Sequence, residues 1–291
     1  MAALNRKRII KFLGLILFSG LIISVISGRF TKNESINISN LDPLANAVQN
    51  ALKGTEGTYG IVIKNLKTGE SYVANEHKVF ETGSLYKIWI MATAFGQIQN
   101  NTLKEDERLS EQVNILNDKF NIASEEAEMT EGEITLTVKQ ALEQMITISH
   151  NYASLLLIER IKHSSVKAFL TQNSFNESSL GEPPHTTPSD IASFFEKLYK
   201  GELANKEYTN RMLNLLKEQK LNDKLPKYLS GDTALSHKTG EIGFYTHDAG
   251  IVYSPNGDYL IIILSESASP AAAQERIATV SKAVYDYFIK L

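Results

Sequence analysis

The order of strand and helix patterns along the chain is the feature that most constrains its fold. Alternating or continuous apolar runs typical of β-strands lie near both ends, at residues 58–65 and 71–74 and again at 249–254 and 259–265. Helical patterns occupy the sequence between them. This order predicts an α+β fold, in which an antiparallel sheet is flanked by N- and C-terminal helices and an all-helical subdomain is inserted between its two halves.

Two helices are predicted to flank the sheet. One lies near residues 44–52, and the other begins at Ser269 and Pro270 with an apolar stripe that ends at Phe288. The inserted helices are predicted over residues 84–100, 137–145, 152–161, 187–201 and 208–218. The sheet's two halves must meet in space, and such junctions are common places for functional sites.

The first thirty residues have a composition of their own. Basic residues 6–8 precede an apolar run over residues 12–26, a pattern typical of export signals and short membrane anchors. We therefore expect a signal anchor or signal peptide at residues 1–30, a polar linker at 31–43 and the folded domain at 44–291. The positive-inside rule then predicts an extracytoplasmic protein, anchored by its N-terminal segment or secreted.

The remaining composition excludes several functions. The chain of 291 residues has no cysteine, so disulfides, thiolate zinc sites, iron–sulfur clusters and a cysteine nucleophile are excluded. The net charge is −3, and five of the 30 Lys and Arg residues lie in the first 29 positions, which contain no acid. The acidic remainder argues against a nucleic-acid partner. Neither a metal-ligand spacing nor a dinucleotide or phosphate-binding motif occurs, so no cofactor is predicted.

Three short motifs carry reactive side chains. They are S-x-x-K at residues 84–87, S-x-N at residues 149–151 and K-T-G at residues 238–240. Each is weak alone, and S-x-x-K and K-T-G both recur, at residues 164–167 and 67–69. The first set has the better context, because Ser84 opens a helix and Lys87 follows one turn later. A lysine of lowered pKa can take the proton that makes a serine hydroxyl nucleophilic.

Plain structural roles remain open for each of these residues. Ser84 could be an N-cap, Asn151 a turn residue and Lys238 a solvated strand lysine. If these structural roles were the only ones, the order of the three motifs along the chain would be a coincidence. In that order, the motifs are the signature of penicillin-recognising serine enzymes.

The chain resembles the penicillin-recognising serine hydrolases, and within them most closely the class A β-lactamases. The resemblance runs from about Leu44 to the C-terminus and extends beyond the three motifs. It includes residues 80–87, 136–161 and 247–252. It implies the β-lactamase and penicillin-binding transpeptidase fold, and a catalytic domain over residues 44–291.

The resemblance also implies catalytic roles. Ser84 would attack the substrate carbonyl and form an acyl-enzyme, with Lys87 as base or proton relay. Ser149 would pass a proton to the departing nitrogen. The backbone N–H groups of Ser84 and Glu241 would form the oxyanion hole.

The implied substrate-binding residues lie on the second and third motifs. Asn151 would hold the side-chain amide of the substrate and contact Lys87. Lys238 and Thr239 would bind the substrate carboxylate, on a strand that continues through Gly240 and Glu241.

The sequence departs from the family in one consequential place. Class A enzymes have a long loop that carries a glutamate, which activates the water that cleaves the acyl-enzyme. Here only residues 180–188 are present, with Glu182-Pro183 resembling the start of that loop. We expect Glu182 not to serve as the deacylation base. His150 also replaces the usual acid in the middle of the second motif.

Three functions follow from the resemblance. The first is a β-lactamase, acylated at Ser84 and hydrolysing the β-lactam ring. The second is a D-alanyl-D-alanine peptidase or penicillin-binding protein with slow deacylation, and the third is a sensor that does not turn over. The expected partners are a small β-lactam or a cell-wall D-Ala-D-Ala peptide and, through the N-terminal segment, a membrane. We expect a monomer.

Overall fold

A computed structural model describes residues 42–290 of the chain. The predicted export segment and nearly all of the predicted linker lie outside the described residues. Within the described range, no helix combines the length and the apolar character needed to cross a membrane.

A five-stranded antiparallel sheet forms the base of the structure, in the order β2-β1-β9-β8-β7. The bounds are β1 Thr58–Asn65, β2 Ser71–Ala74, β7 Leu235–Ile242, β8 Tyr245–Val252 and β9 Tyr259–Glu266. Strand β1 pairs with β9, with Ile61 opposite Ile263. Strands from the two ends of the described range therefore pair in one sheet, which confirms the predicted α+β fold.

Two helices cover one face of the sheet, α1 Pro43–Ala51 and α9 Pro270–Phe288. Their apolar stripes, with Val48 on α1 and Ile277 on α9, pack against alternate strand residues such as Ile61 and Ile263. Both helices were predicted. Ser269 occupies the N-cap position of α9, but its side chain makes no capping hydrogen bond.

The other face carries the helical subdomain. Its helices are α2 Lys87–Gln99, α3 Val113–Lys119, α4 Val138–Thr147, α5 Asn151–Ile161, α6 His163–Gln172, α7 Pro188–Lys200 and α8 Lys206–Lys217. Helix α2 is apolar on every side and is buried at the centre. Lys87 is the first residue of α2, so the packing of this buried helix fixes the position of the lysine.

Two small antiparallel strand pairs were not predicted from the sequence. One joins β3 Phe80–Glu81 to β6 His185–Thr186, and the other joins β4 Arg108–Gln112 to β5 Glu133–Thr137. The first pair has two residues per strand, too few for a periodic pattern. The strands of the second pair have five residues each, and only Leu109 on β4 and Ile134 and Leu136 on β5 are apolar, so the strand signal is weak. Helices α3 and α6 were also not predicted.

Candidate active site

Ser84 lies in a 3-10 turn, Gly83–Tyr86, between β3 and α2. The turn leads directly into α2, so Ser84 and Lys87 lie one turn apart, as the sequence predicted. The N-cap positions of this turn and of α2 are occupied by Thr82 and Tyr86, so the half-buried Ser84 is the N-cap residue of neither. The plain N-cap alternative for Ser84 is therefore wrong.

Strand β7 passes unusually close to this turn. A Cβ atom on Gly240 would lie 2.4 Å from the Thr82 carbonyl oxygen, and a Cβ atom on Gly83 would lie 2.4 Å from the Glu241 nitrogen. Gly83 also has φ +48°, a conformation that favours glycine. The two glycines therefore allow β7 to lie against the nucleophile turn. Sequence reasoning assigned this packing role to neither of them.

We expect Gly240→Ala to lower the free energy of unfolding by about 1–3 kcal/mol, because its methyl group must displace backbone at Thr82. Gly96→Ala is the matched control, since Gly96 lies inside α2 with open space around it. That substitution should stabilise the fold by up to about 1 kcal/mol through helix propensity. Urea unfolding of both variants checks the prediction, and equal effects would contradict it.

Lys87 is fully buried and hydrogen-bonded to the second motif. Its Nζ donates to the Ser149 carbonyl oxygen at 2.5 Å, to Ser149 Oγ at 3.2 Å and to Asn151 Oδ1 at 2.6 Å. Burial lowers the pKa of Lys87 to about 7, although the Glu128 carboxylate raises it. A lysine in this state can both accept and return a proton near neutral pH.

Ser149 connects the two lysines of the site. Its Oγ accepts from Lys87 and, at 2.9 Å, from Lys238 Nζ. Its backbone has φ +60°, and His150 beside it caps α5 by accepting from the Ala153 N–H at 3.2 Å. Because both lone pairs of Ser149 Oγ face lysines, its own proton is free to point away from them.

Lys238 is also fully buried. Its Nζ donates to Ser149 Oγ and to the Thr239 carbonyl oxygen, at 2.9 Å each. Burial, followed by the charge of Lys87, holds the pKa of Lys238 well below its usual value. The alternative of a solvated strand lysine is therefore wrong.

Asn151 has a second partner that the sequence analysis missed. Its Nδ2 donates to Glu128 Oε1 at 2.6 Å, while its Oδ1 accepts from Lys87. Glu128 lies in the loop between α3 and β5, among several other acidic residues. Nothing in the local sequence separates it from them. The alternative reading of Asn151 as a plain turn residue is wrong, because it begins α5 and binds Lys87.

A layer of buried polar side chains supports β7 and β8. His237 Nδ1 and Asp248 Oδ1 are 2.9 Å apart, and the other Asp248 oxygen accepts from the Leu225 N–H at 3.0 Å. His247 Nδ1 accepts from the Ser265 N–H, so its Nε2 donates to the Glu81 carbonyl oxygen at 2.7 Å. Burial lowers the pKa of His247 to about 4, which keeps the ring neutral.

A cavity of about 220 Å³ opens in front of Ser84. It brings together residues of all three motif regions: Ser84, Tyr86, Asn151 and Glu241. The predicted residues Lys87, Ser149, Lys238, Thr239 and Gly240 lie directly behind or beside this cavity through the contacts described above. The structure thus collects all eight predicted site residues at one place.

Glu182 lies outside this cavity. It is exposed and lines a neighbouring cavity with Phe80 and Tyr245, whereas Pro183 and Pro184 do line the Ser84 cavity. This placement agrees with the expectation that Glu182 does not act on an acyl group at Ser84. Within residues 42–290, no group of three or more His, Cys, Asp or Glu residues could hold a metal ion.

The fold and this site define a serine hydrolase of the β-lactamase type. A model of the "Beta-lactamase enzyme family" matches residues 43–288, and the chain belongs to that family. No curated protein matches the chain.

Solved structures share the fold. PBP-A has a TM-score of 0.73 and 24% identity, with coverage of 86% of this chain and 96% of PBP-A. A PBP-A variant, solved as an acyl-enzyme complex with penicillin G, has the same TM-score and identity and covers 86% and 97%. A class A β-lactamase from Bacteroides cellulosilyticus DSM 14838 has a TM-score of 0.73 and 21% identity, with coverage of 87% and 100%. The TM-scores establish a common fold.

Proposed function

We propose that the protein is a serine β-lactamase that is acylated at Ser84 by β-lactams and hydrolyses the acyl-enzyme slowly. The observation that carries the proposal is the pair of buried lysines, Lys87 and Lys238, that both donate to Ser149 Oγ. Burial lowers the pKa of Lys87 to about 7. The penicillin G complex of the PBP-A variant supports the choice of substrate class, because that protein shares this fold.

Acylation proceeds in balanced proton steps. Ser84 Oγ attacks the carbonyl carbon of the β-lactam amide, and its proton passes to the neutral amine of Lys87. Ser149 passes its proton to the amide nitrogen as the C–N bond breaks, and its Oγ takes one in return from the Lys87 ammonium, 3.2 Å away, which restores the neutral amine. The N–H groups of Ser84 and Glu241 stabilise the oxyanion, each contributing about 3 kcal/mol in related sites.

Substrate binding uses the remaining predicted residues. We assign to Asn151 the binding of the substrate's side-chain amide, and to Lys238 and Thr239 the binding of its carboxylate. Gly240 keeps β7 close to the turn that carries Ser84, so that a substrate can contact the strand and the nucleophile at once. The protein is proposed to act outside the cytoplasm, since residues 6–8 and 12–26 form an export pattern.

Deacylation is proposed to be slow because Glu182, the candidate base, does not line the Ser84 cavity. A general base must lie within about 3 Å of the water it activates, directly or through one water. Glu182 lines the neighbouring cavity, and none of the hydrogen bonds within residues 42–290 ties it to Lys87 or Asn151. The same observation favours a second candidate function, a D-alanyl-D-alanine peptidase that penicillins inhibit.

A time course separates these two functions. The full chain is mixed with excess benzylpenicillin, and the acyl-enzyme and free penicilloate are measured together. A slow β-lactamase releases many equivalents of penicilloate while the adduct stays at a steady level. One equivalent of adduct without further product favours the peptidase, which is then tested for D-alanine release from a D-Ala-D-Ala peptide.

The acylation rate should depend on pH through Lys87. We expect the second-order rate constant to rise through a midpoint near pH 7, because only the neutral amine accepts the Ser84 proton. Glu128→Gln should move this midpoint to lower pH, since the Glu128 carboxylate raises the pKa of Lys87. Glu126→Gln, in the same exposed loop, is the control. A midpoint that does not fall in Glu128→Gln would contradict this account.

A further inference from the structure

Asn151 is hydrogen-bonded at both ends of its side-chain amide. Its Oδ1 accepts from Lys87 Nζ at 2.6 Å, and its Nδ2 donates to Glu128 Oε1 at 2.6 Å. The Nδ2 group has two hydrogens, and the second has no acceptor among residues 42–290. Because Asn151 lines the Ser84 cavity, this second hydrogen is the one that can bind the side-chain amide carbonyl of a substrate.

The Glu128 carboxylate has no neighbouring cation to compensate it when acylation begins. Glu128 is exposed and forms no ion pair within the described part of the chain. Lys87 lies on the other side of Asn151, but in the proposed mechanism it takes the Ser84 proton as a neutral amine, and burial lowers its pKa to about 7. Burial also lowers the pKa of His150, which favours the neutral ring. Glu128 therefore adds a negative charge beside Asn151.

A substrate carbonyl bound by Asn151 would lie close to this carboxylate. Two acceptors that share one amide nitrogen lie about 5 Å apart, since each hydrogen bond is about 3 Å long and the two N–H bonds diverge by about 120°. The carbon beside that carbonyl carries the variable group of an acylamino side chain. A charge on this carbon would lie within about 8 Å of Glu128, the Debye length at physiological salt, so the two charges interact. An ammonium group there is attracted, and a carboxylate is repelled.

We propose that Glu128 is a specificity-determining residue that favours acyl donors with an ammonium group on the carbon beside the side-chain carbonyl, and disfavours donors with a carboxylate there. This inference rests on the proposed acylation at Ser84 and on the amide-binding role proposed for Asn151. It is separate from the effect of Glu128 on the pKa of Lys87. That effect is common to all substrates, because the same amine accepts the Ser84 proton whichever acyl donor is bound.

The test uses three penicillins that differ in charge at this one carbon. Benzylpenicillin has no charge there, ampicillin has an ammonium group and carbenicillin has a carboxylate. Acylation rate constants of the full chain are measured by intact-protein mass spectrometry at about pH 6.5, where an α-amino group is protonated. Glu128→Gln should lower the ampicillin-to-carbenicillin rate ratio about tenfold, because glutamine keeps an acceptor for Asn151 Nδ2 but has no charge. The ratios that include benzylpenicillin should change by less, in the same direction.

Glu126→Gln is the matched control, because Glu126 lies in the same exposed loop but makes no hydrogen bond to Asn151. Its ratio should stay within about threefold of wild type. A fall of less than about threefold in Glu128→Gln overturns the inference, as does an equal fall in Glu126→Gln. A uniform change of all three rate constants overturns it too, since Glu128 would then act only through Lys87. Acylation of wild type by none of the three penicillins overturns the proposed function itself, and the inference with it.

Discussion

Ser84→Ala is expected to abolish acylation by benzylpenicillin, lowering the rate constant by at least about 10⁴-fold. Ser84 supplies the nucleophile at the mouth of the cavity, and no other group within residues 42–290 combines a serine with a buried lysine one turn away. Because Ser84 is the N-cap residue of neither the turn nor α2, the loss of its Oγ should leave the fold intact. Intact-protein mass spectrometry measures the adduct, and thermal unfolding checks the fold.

Ser164→Ala is the matched control for this substitution. Ser164 and Lys167 form the second S-x-x-K sequence, and the structure places both in α6. That variant should be acylated at the wild-type rate. Acylation that survives in Ser84→Ala, or disappears in Ser164→Ala, would show that the nucleophile has been assigned to the wrong motif.

Lys87→Met is expected to lower the acylation rate constant by about 10²- to 10⁴-fold, the range typical for loss of a general base. Methionine approximates the length and volume of the buried lysine but cannot accept a proton. The variant should also lose stability, by about 1–3 kcal/mol, because the Ser149 carbonyl and Asn151 Oδ1 lose their donor. Stopped-flow acylation and urea unfolding separate the two effects.

The control for Lys87→Met is Lys167→Met, an exposed lysine of the second S-x-x-K sequence. It should change neither the rate nor the stability. A Lys87→Met variant that folds and is acylated within threefold of wild type would contradict the role proposed for Lys87. In that case the proton of Ser84 would have to leave through another group.

The sheet was predictable because most of its strands carry local patterns. Residues 58–65 and 71–74 are strands with the predicted bounds, and 259–265 is extended by a single residue. Strand β7 has no such pattern, because its buried residues include His237 and Lys238. Their burial is balanced by partners on other elements, chiefly Asp248 and Ser149. A single-sequence pattern does not contain such distant partners, and only the resemblance placed this strand.

The same reason explains which site residues were missed. Seven of the eight predicted residues lie in motifs whose order along the chain is informative, and the eighth, Glu241, directly follows the third motif. Glu128 acts through a contact with Asn151, 23 positions away along the chain. This contact leaves no periodic trace in the sequence. Gly83 was missed in another way, since its need for glycine depends on the close passage of β7.

The most direct test of the central claim is the site of acylation. The full chain is incubated with benzylpenicillin, digested, and its peptides are mapped by tandem mass spectrometry alongside Ser84→Ala. The account predicts a single penicilloyl group on Ser84 that forms faster than it is lost, and none in the variant. A chain that carries no adduct, or carries it on any residue other than Ser84, would contradict the account.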